Sequence, residues 1–277
     1  MTSTRERQRA AARARLEKEM AERSARARKR RQTQAIVGGG VALLLVVAGT
    51  VWLVSSLIGD DSGTDNAAQD ATSVQCDWIE LPAGERTPQT KDVGLPDARQ
   101  SRVGNQTMTI NTNLGPITAR ISRSAVPCTA GSFTHLAEKD FFDNTKCHRL
   151  VTEGIKVLQC GDPSATGKGW RDTDGMGGPS YRMAEENLPT EMRPPYPAGV
   201  IAMAKTDQPA TTGSQFFIVY GDSPLPPDYT VLGTITGGMD IVEEVAKAGD
   251  DGAFAQSAGG GHPKEEVIIT DLTMTDA

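Results

Sequence analysis

The sequence contains no Cys-x-x-Cys pair, and only one of its three histidines, His148, stands beside a cysteine. Zinc sites need clustered Cys and His at short spacings, so no metal site is expected. A phosphate loop is missing too. Gly167-Lys168-Gly169 has neither the spacing nor the following Ser/Thr of such a loop. Basic charge is scarce over most of the length. Of 29 Lys/Arg and 35 Asp/Glu, twelve basic residues and four Glu fall within residues 1–34, which leaves 17 basic and 31 acidic residues in 35–277. A body of charge −14 argues against nucleic acid as a partner, because phosphate binding is driven by Lys and Arg.

Charge is lacking altogether between Ile36 and Ile58, an apolar run of 23 residues. At about 1.5 Å per helical residue it can cross a hydrocarbon core of roughly 30 Å. A cleaved signal peptide would have a shorter apolar region and a small-residue cleavage site, whereas Gly59-Asp60-Asp61 follows here directly. An uncleaved anchor is therefore expected over 35–58. The Arg/Lys cluster of residues 1–34 keeps that end cytoplasmic, and the body faces outward as a single-pass protein of the cell membrane. Residues 59–105 are rich in Asp, Gly, Ser, Thr, Gln and Pro and read as a flexible extracytoplasmic linker, with Cys76-Asp77-Trp78-Ile79 as a local docking point. A folded domain is expected over 106–277.

All four cysteines, Cys76, Cys128, Cys147 and Cys160, lie on the outward side. An even number in an oxidising compartment implies two disulfides, with three possible pairings. Cys147 and Cys160 flank a hairpin around 151–157, which favours their pairing and leaves Cys76 to pin the linker to Cys128. The alternative is Cys128–Cys160.

Within 106–277 the strands are short. Met108 and Ile110 alternate with polar neighbours, Asn113-Leu114-Gly115-Pro116 makes a turn, and Ile117–Ile121 resumes: a hairpin. Pro127 opens a helix that carries Phe133, Leu136 and Ala137 on one face. Strand-like runs follow at Cys147–Val151, Val200–Ala204 and Gln215–Val219. A second helix is expected over Asp240–Ala248, with Ile241, Val245 and Ala248 inward and Gly249 as its stop. A last strand runs through Val267–Ile269, Leu272 and Met274. This pattern is mainly β, and periodicity alone leaves a closed barrel and a sandwich both open.

Two blocks carry a resemblance. One is Cys147-His148-Arg149-Leu150-Val151 running on to Gln159-Cys160-Gly161-Asp162. The other is Gly213-Ser214-Gln215-Phe216-Phe217-Ile218-Val219. With Tyr229-Thr230-Val231-Leu232-Gly233 before Met239-Asp240-Ile241-Val242, they resemble the cyclophilin peptidyl-prolyl cis/trans isomerases over roughly 106–275. The resemblance implies a closed eight-stranded antiparallel barrel capped by two helices, and isomerase activity (EC 5.2.1.8) that uses no cofactor. It implies that Arg149 is the catalytic arginine and that Gln159 and Gln215 orient it and contact the peptide backbone. Phe217 becomes the floor of a proline pocket completed by Met203, Val157 and Leu225, with Ala204, Lys205 and Tyr229 also contacting substrate. His148 is expected to be a packed, hydrogen-bonded core residue.

Three departures from the family pattern stand out. The segment Thr152–Leu158 is two residues longer, so that Ile155 and Val157 replace a Phe-Met wall. Lys205 replaces an amide. Pro224, beside Leu225, stands where a rim Trp is common. Weak cyclosporin binding follows from these changes. The expected partners are proline-containing polypeptides, exported ones given the topology. A membrane-tethered binding module with little turnover is the competing reading.

Overall fold

The computed structural model describes residues 72–277. The predicted anchor and basic tail lie outside the described residues, among which no helix is long and apolar enough to cross a membrane.

Strands β5 (Asn105–Thr112) and β6 (Gly115–Ser122) form the expected hairpin, in the register Ile110↔Ile117 and Met108↔Ala119. Gly115 turns the chain at φ +130°, where a side chain would be strained. Helix α1 (Pro127–Ala137) starts on Pro127 and buries Ala130, Phe133 and Leu136. Then come β7 (Thr145–Lys146), β8 (Arg149–Val151), β9 (Lys156–Cys160), β10 (Gly178–Pro179), β11 (Tyr181–Arg182), β12 (Val200–Met203), β13 (Phe216–Gly221) and β14 (Val231–Gly237). Helix α2 (Met239–Ala248) and β15 (Ile268–Asp276) complete the chain. In α2 the buried residues are Val242 and Val245, with Met239, Ile241 and Ala246 packed at the margin. Ala248, expected to face inward, is exposed.

The main sheet has nine strands in the order β7-β15-β5-β6-β14-β12-β13-β9-β8. It is a curled sheet and not the closed eight-stranded barrel expected. Its two edge strands, β7 and β8, are successive in sequence, and Cys147-His148 joins them covalently where a closed ladder would pair them. Of the expected strand Cys147–Val151, only Arg149–Val151 is extended in the sheet, as β8.

Residues 72–105 depart from the expected flexible linker. Strand β1 (Ser73–Gln75) pairs with β4 (Arg99–Ser101), β2 (Ile79–Glu80) with β11, and β3 (Thr90–Lys91) with β10. Disulfide Cys76–Cys128 ties this segment to the first turn of α1 at a Cα separation of 5.6 Å. Trp78 meets Tyr181 edge-on at 5.7 Å, and Arg86 bridges Glu80 and Asp92 at 2.8 and 2.7 Å. The second disulfide joins Cys147 and Cys160. Both are the favoured pairings.

Candidate functional site

Strands β12 and β13, with Val157 and Leu158 of β9, carry apolar side chains on both faces, and the two faces do different work. Leu158, Ile201, Met203, Phe216 and Ile218 enter the main core with α1. Their alternate neighbours Val157, Val200, Ala202, Phe217 and Val219 form a second apolar cluster with Val151 and Tyr196 on the opposite face. Ile155, Ala204, Leu225 and Tyr229 pack against that cluster. It floors a groove of about 450 Å³ lined by Arg149, Val157, Gln159, Ala204, Lys205, Phe217, Leu225 and Tyr229, among others.

Most of the expected site residues therefore meet in one place. Met203 does not. It is fully buried in the main core, because alternation along β12 sends it to the face opposite Ala202 and Ala204. Gln215 lies just outside the groove lining and connects to Arg149 only by way of Gln159. Its Nε2 donates to the carbonyls of Gly175 and Gly177 at 2.7 and 2.9 Å, so its Oε1 is left to accept Gln159 Nε2 at 2.9 Å. Gln159 Oε1 then accepts Arg149 Nη1 at 3.1 Å. Cross-strand pairing of Arg149 with Gln159, and of Gln159 with Phe217, sets this relay in register.

Arg149 also donates from Nε to the Gly259 carbonyl at 3.1 Å and from Nη2 to the Ala258 carbonyl. Three of its five N–H groups are thus occupied, and one on each terminal nitrogen remains. Among the described residues no carboxylate lies within ion-pair distance of it. Burial pulls its pKa below the ordinary arginine value, partly opposed by Tyr229, and an arginine so held keeps its charge at physiological pH.

Lys205 has turned to the rim. Its Nζ is 3.3 Å from Asp228 and 5.8 Å from the centre of the Tyr229 ring. Tyr229 is in turn held through its backbone: the Tyr196 hydroxyl accepts its N–H and donates to its carbonyl, both at 2.9 Å. Pro224 is exposed, and Leu225 supplies the apolar rim. Gly175, from a glycine-rich turn, joins the lining, as do Asp174, Phe254 and Ala258, which no motif in the sequence marks. The three consecutive glycines 259–261 were the available signal for the last two, since such runs permit close backbone approach.

His148 is packed as expected, 2% exposed, but neither ring nitrogen has a hydrogen-bond partner among the described residues. Desolvation lowers its pKa to about 4, with Asp162 and Asp174 opposing. The folded state holds it neutral, while the unfolded chain binds a proton below the ordinary value of about 6.5. Stability should therefore be complete above pH 6.5 and fall as the pH drops toward 4. Between pH 7 and 5 the expected loss is about 2 kcal/mol. Urea unfolding against pH reads this, and His148→Leu should flatten the slope over that window.

A groove of this kind, with an arginine held by Gln159 and two backbone carbonyls beside an apolar pocket on a curled sheet, defines a cyclophilin-type domain. The chain belongs to that family: the model "Cyclophilin type peptidyl-prolyl cis-trans isomerase/CLD" matches residues 107–274. Probable peptidyl-prolyl cis-trans isomerase B of Mycobacterium leprae is 43% identical over 175 residues, covering 59% of this chain and 55% of that protein. Its namesake in Mycobacterium tuberculosis is 42% identical over 174 residues, covering 59% and 52%. The chain thus spans about half the length of these curated relatives. Among solved structures, a Cryptosporidium parvum cyclophilin type peptidyl-prolyl cis-trans isomerase, crystallised in the presence of the dipeptide Ala-Pro, superposes with a TM-score of 0.50 at 26% identity. That match covers 62% of this chain and 99% of the other.

Proposed function

We propose that this chain is a peptidyl-prolyl cis/trans isomerase, anchored by residues 35–58 with its domain outside the membrane, and that its clients are exported polypeptides. The observation that carries the activity is Arg149, held at the mouth of an apolar pocket by neutral acceptors alone. An X–Pro amide rotates over a barrier of roughly 18–20 kcal/mol, because rotation breaks C–N resonance. In the twisted state the proline nitrogen regains its lone pair and accepts a hydrogen bond. The two N–H groups of Arg149 not used by the protein can serve that nitrogen and the adjacent carbonyl. They stabilise the twisted amide more than either planar form, which is what lowers the barrier. Phe217, Val157 and Leu225 grip the ring meanwhile. The Ala-Pro dipeptide in the neighbour's crystallisation supports a proline-containing ligand.

The export reading rests on the uncharged run 36–58, the basic residues before it and the two disulfides beyond it. A protease-coupled assay of an X–Pro peptide with the full-length protein in detergent tests the activity. Binding of the peptide with no acceleration would replace the isomerase by the tethered binding module.

Weak cyclosporin inhibition is expected, relative to typical family members. Pro224 offers neither an indole N–H nor a broad apolar face, and the adjacent groove residue is Leu225. Titration of the drug against the assay checks this. Nanomolar inhibition would contradict it, while a gain in sensitivity for Pro224→Trp would support it.

A further inference from the structure

The loop from Asp250 to His262 has no part in the family-based assignment of the site, yet it meets the groove at two points. Its Ala258 and Gly259 carbonyls accept from Arg149, and its Phe254 ring lines the cavity. We infer that this loop is the positioning element of the groove. It sets the plane of the Arg149 guanidinium through two backbone carbonyls, and Phe254 supplies an aromatic wall where the longer 152–158 segment offers only Ile155 and Val157. The inference rests on the isomerase reading for its catalytic consequence, and on geometry alone for the positioning.

Three observations show a built loop. First, it is clamped to the free edge of the sheet. Leu150 and Gly261 exchange both backbone hydrogen bonds, at 2.8 and 3.0 Å, one residue from Arg149. That approach admits no side chain, since a Cβ on Gly260, at φ +70°, would fall 2.0 Å from the Leu150 carbonyl oxygen. Second, the ends of the loop are cross-tied. Asp251 accepts from the His262 N–H at 2.8 Å and meets its Nδ1 at 2.9 Å. Third, Phe254 is fixed at both backbone and ring. Its N–H donates to Gly260 at 2.9 Å, its carbonyl accepts from Gly259 at 2.8 Å, and its ring meets His262 edge-on at 4.7 Å. His262 in turn stacks on Trp170 at 4.6 Å. The Phe254–Gly259 bond aims the carbonyls at Arg149, because it closes the turn that contains Ala258.

A guanidinium with three donors pinned has little rotational freedom left, so its two remaining donors are already placed when a client arrives. Preorganisation of this kind is what makes an electrostatic group catalytic.

The full-length protein, in detergent and labelled with ¹⁵N, tests the proposal through two variants. Gly260→Ala should lift the loop from Leu150. We expect the Arg149 Nε–H resonance to shift and lose its protection from exchange, and kcat/KM to fall at least tenfold mainly through kcat. A folded Gly260→Ala protein with lowered Tm, an unchanged Arg149 Nε–H signal and full activity would overturn the positioning role. Phe254→Ala leaves the backbone contacts in place and should raise KM severalfold with kcat kept, and Phe254→Tyr should restore KM. An unchanged KM in Phe254→Ala would overturn the wall. Should the wild type fail to accelerate isomerisation at all, the isomerase reading falls, while the Nε–H signal still decides the positioning.

Discussion

Arg149→Ala is expected to lower kcat/KM by about 100-fold or more, a loss of about 2.7 kcal/mol of transition-state stabilisation, with the fold retained. Removing Arg149 strands Gln159 Oε1 and the Ala258 and Gly259 carbonyls, but these border an open groove that water can enter. The stability cost is therefore small beside the catalytic one. Arg149→Lys separates charge from geometry. An ammonium keeps the cation but not the planar fork that reaches three acceptors and still presents two donors, so it should recover little of the rate. Activity near wild type in Arg149→Lys would mean that charge alone suffices. Activity near wild type in Arg149→Ala would remove the mechanism altogether. Gln215→Ala offers a graded comparison. Gln159 Nε2 loses its acceptor, the amide is no longer prevented from flipping, and kcat should drop less than for Arg149 itself.

The strands of the site are legible in the sequence, but the face that a residue occupies is not always so. In Val200–Met203 and Phe216–Val219 every residue is apolar, because the sheet is covered by core on one side and by the pocket cluster on the other. Period-two alternation disappears in such a strand. Motif resemblance puts Phe217 at the groove, where its ring is found, because the glutamine two positions earlier, Gln215, anchors the register. For Met203 it supplied a neighbourhood and not an orientation. Gln159 and Gln215, by contrast, are polar residues within or directly before apolar runs, and such residues need partners. That need is legible in the sequence itself.

Residues 72–105, expected to be a flexible linker, are paired with the domain, and the 250–262 loop carries no sequence-based expectation at all. Residues 72–105 form strands of two or three residues, too short for periodicity to register, and their partners β10 and β11 lie about a hundred residues away. Only Cys76 and Trp78 hinted at docking. The 250–262 loop acts through backbone carbonyls, which any residue carries. Its composition therefore reports only the glycines that close approach demands. In both cases the information is tertiary, and local propensity says nothing of it.

Loss of the Cys76–Cys128 bond should have the largest effect on stability. The bond closes a loop with a sequence separation of 52, and the entropy of closing such a loop corresponds to about 4 kcal/mol. Cys76 is itself 2% exposed, and its N–H donates to the Ala98 carbonyl at 2.7 Å, so the bond fixes both ends of the segment that covers α1 and β11. Without it, the contacts of Trp78 and Arg86 must hold three very short strand pairs alone. The double variant Cys76→Ala/Cys128→Ala is expected to lose about 3–4 kcal/mol of stability. It should also become sensitive to protease between residues 73 and 101, with isomerase activity kept at low temperature because no groove residue belongs to the segment. The Cys147–Cys160 bond, with a separation of 13, closes a shorter loop beside Arg149 and Gln159, and its loss should reach activity as well as stability. Urea unfolding, limited proteolysis and the coupled assay together distinguish the two bonds. Mass spectrometry of the non-reduced protein, taken from membranes, should find both pairs oxidised. Four free thiols there would place the domain in a reducing compartment and overturn the proposed topology.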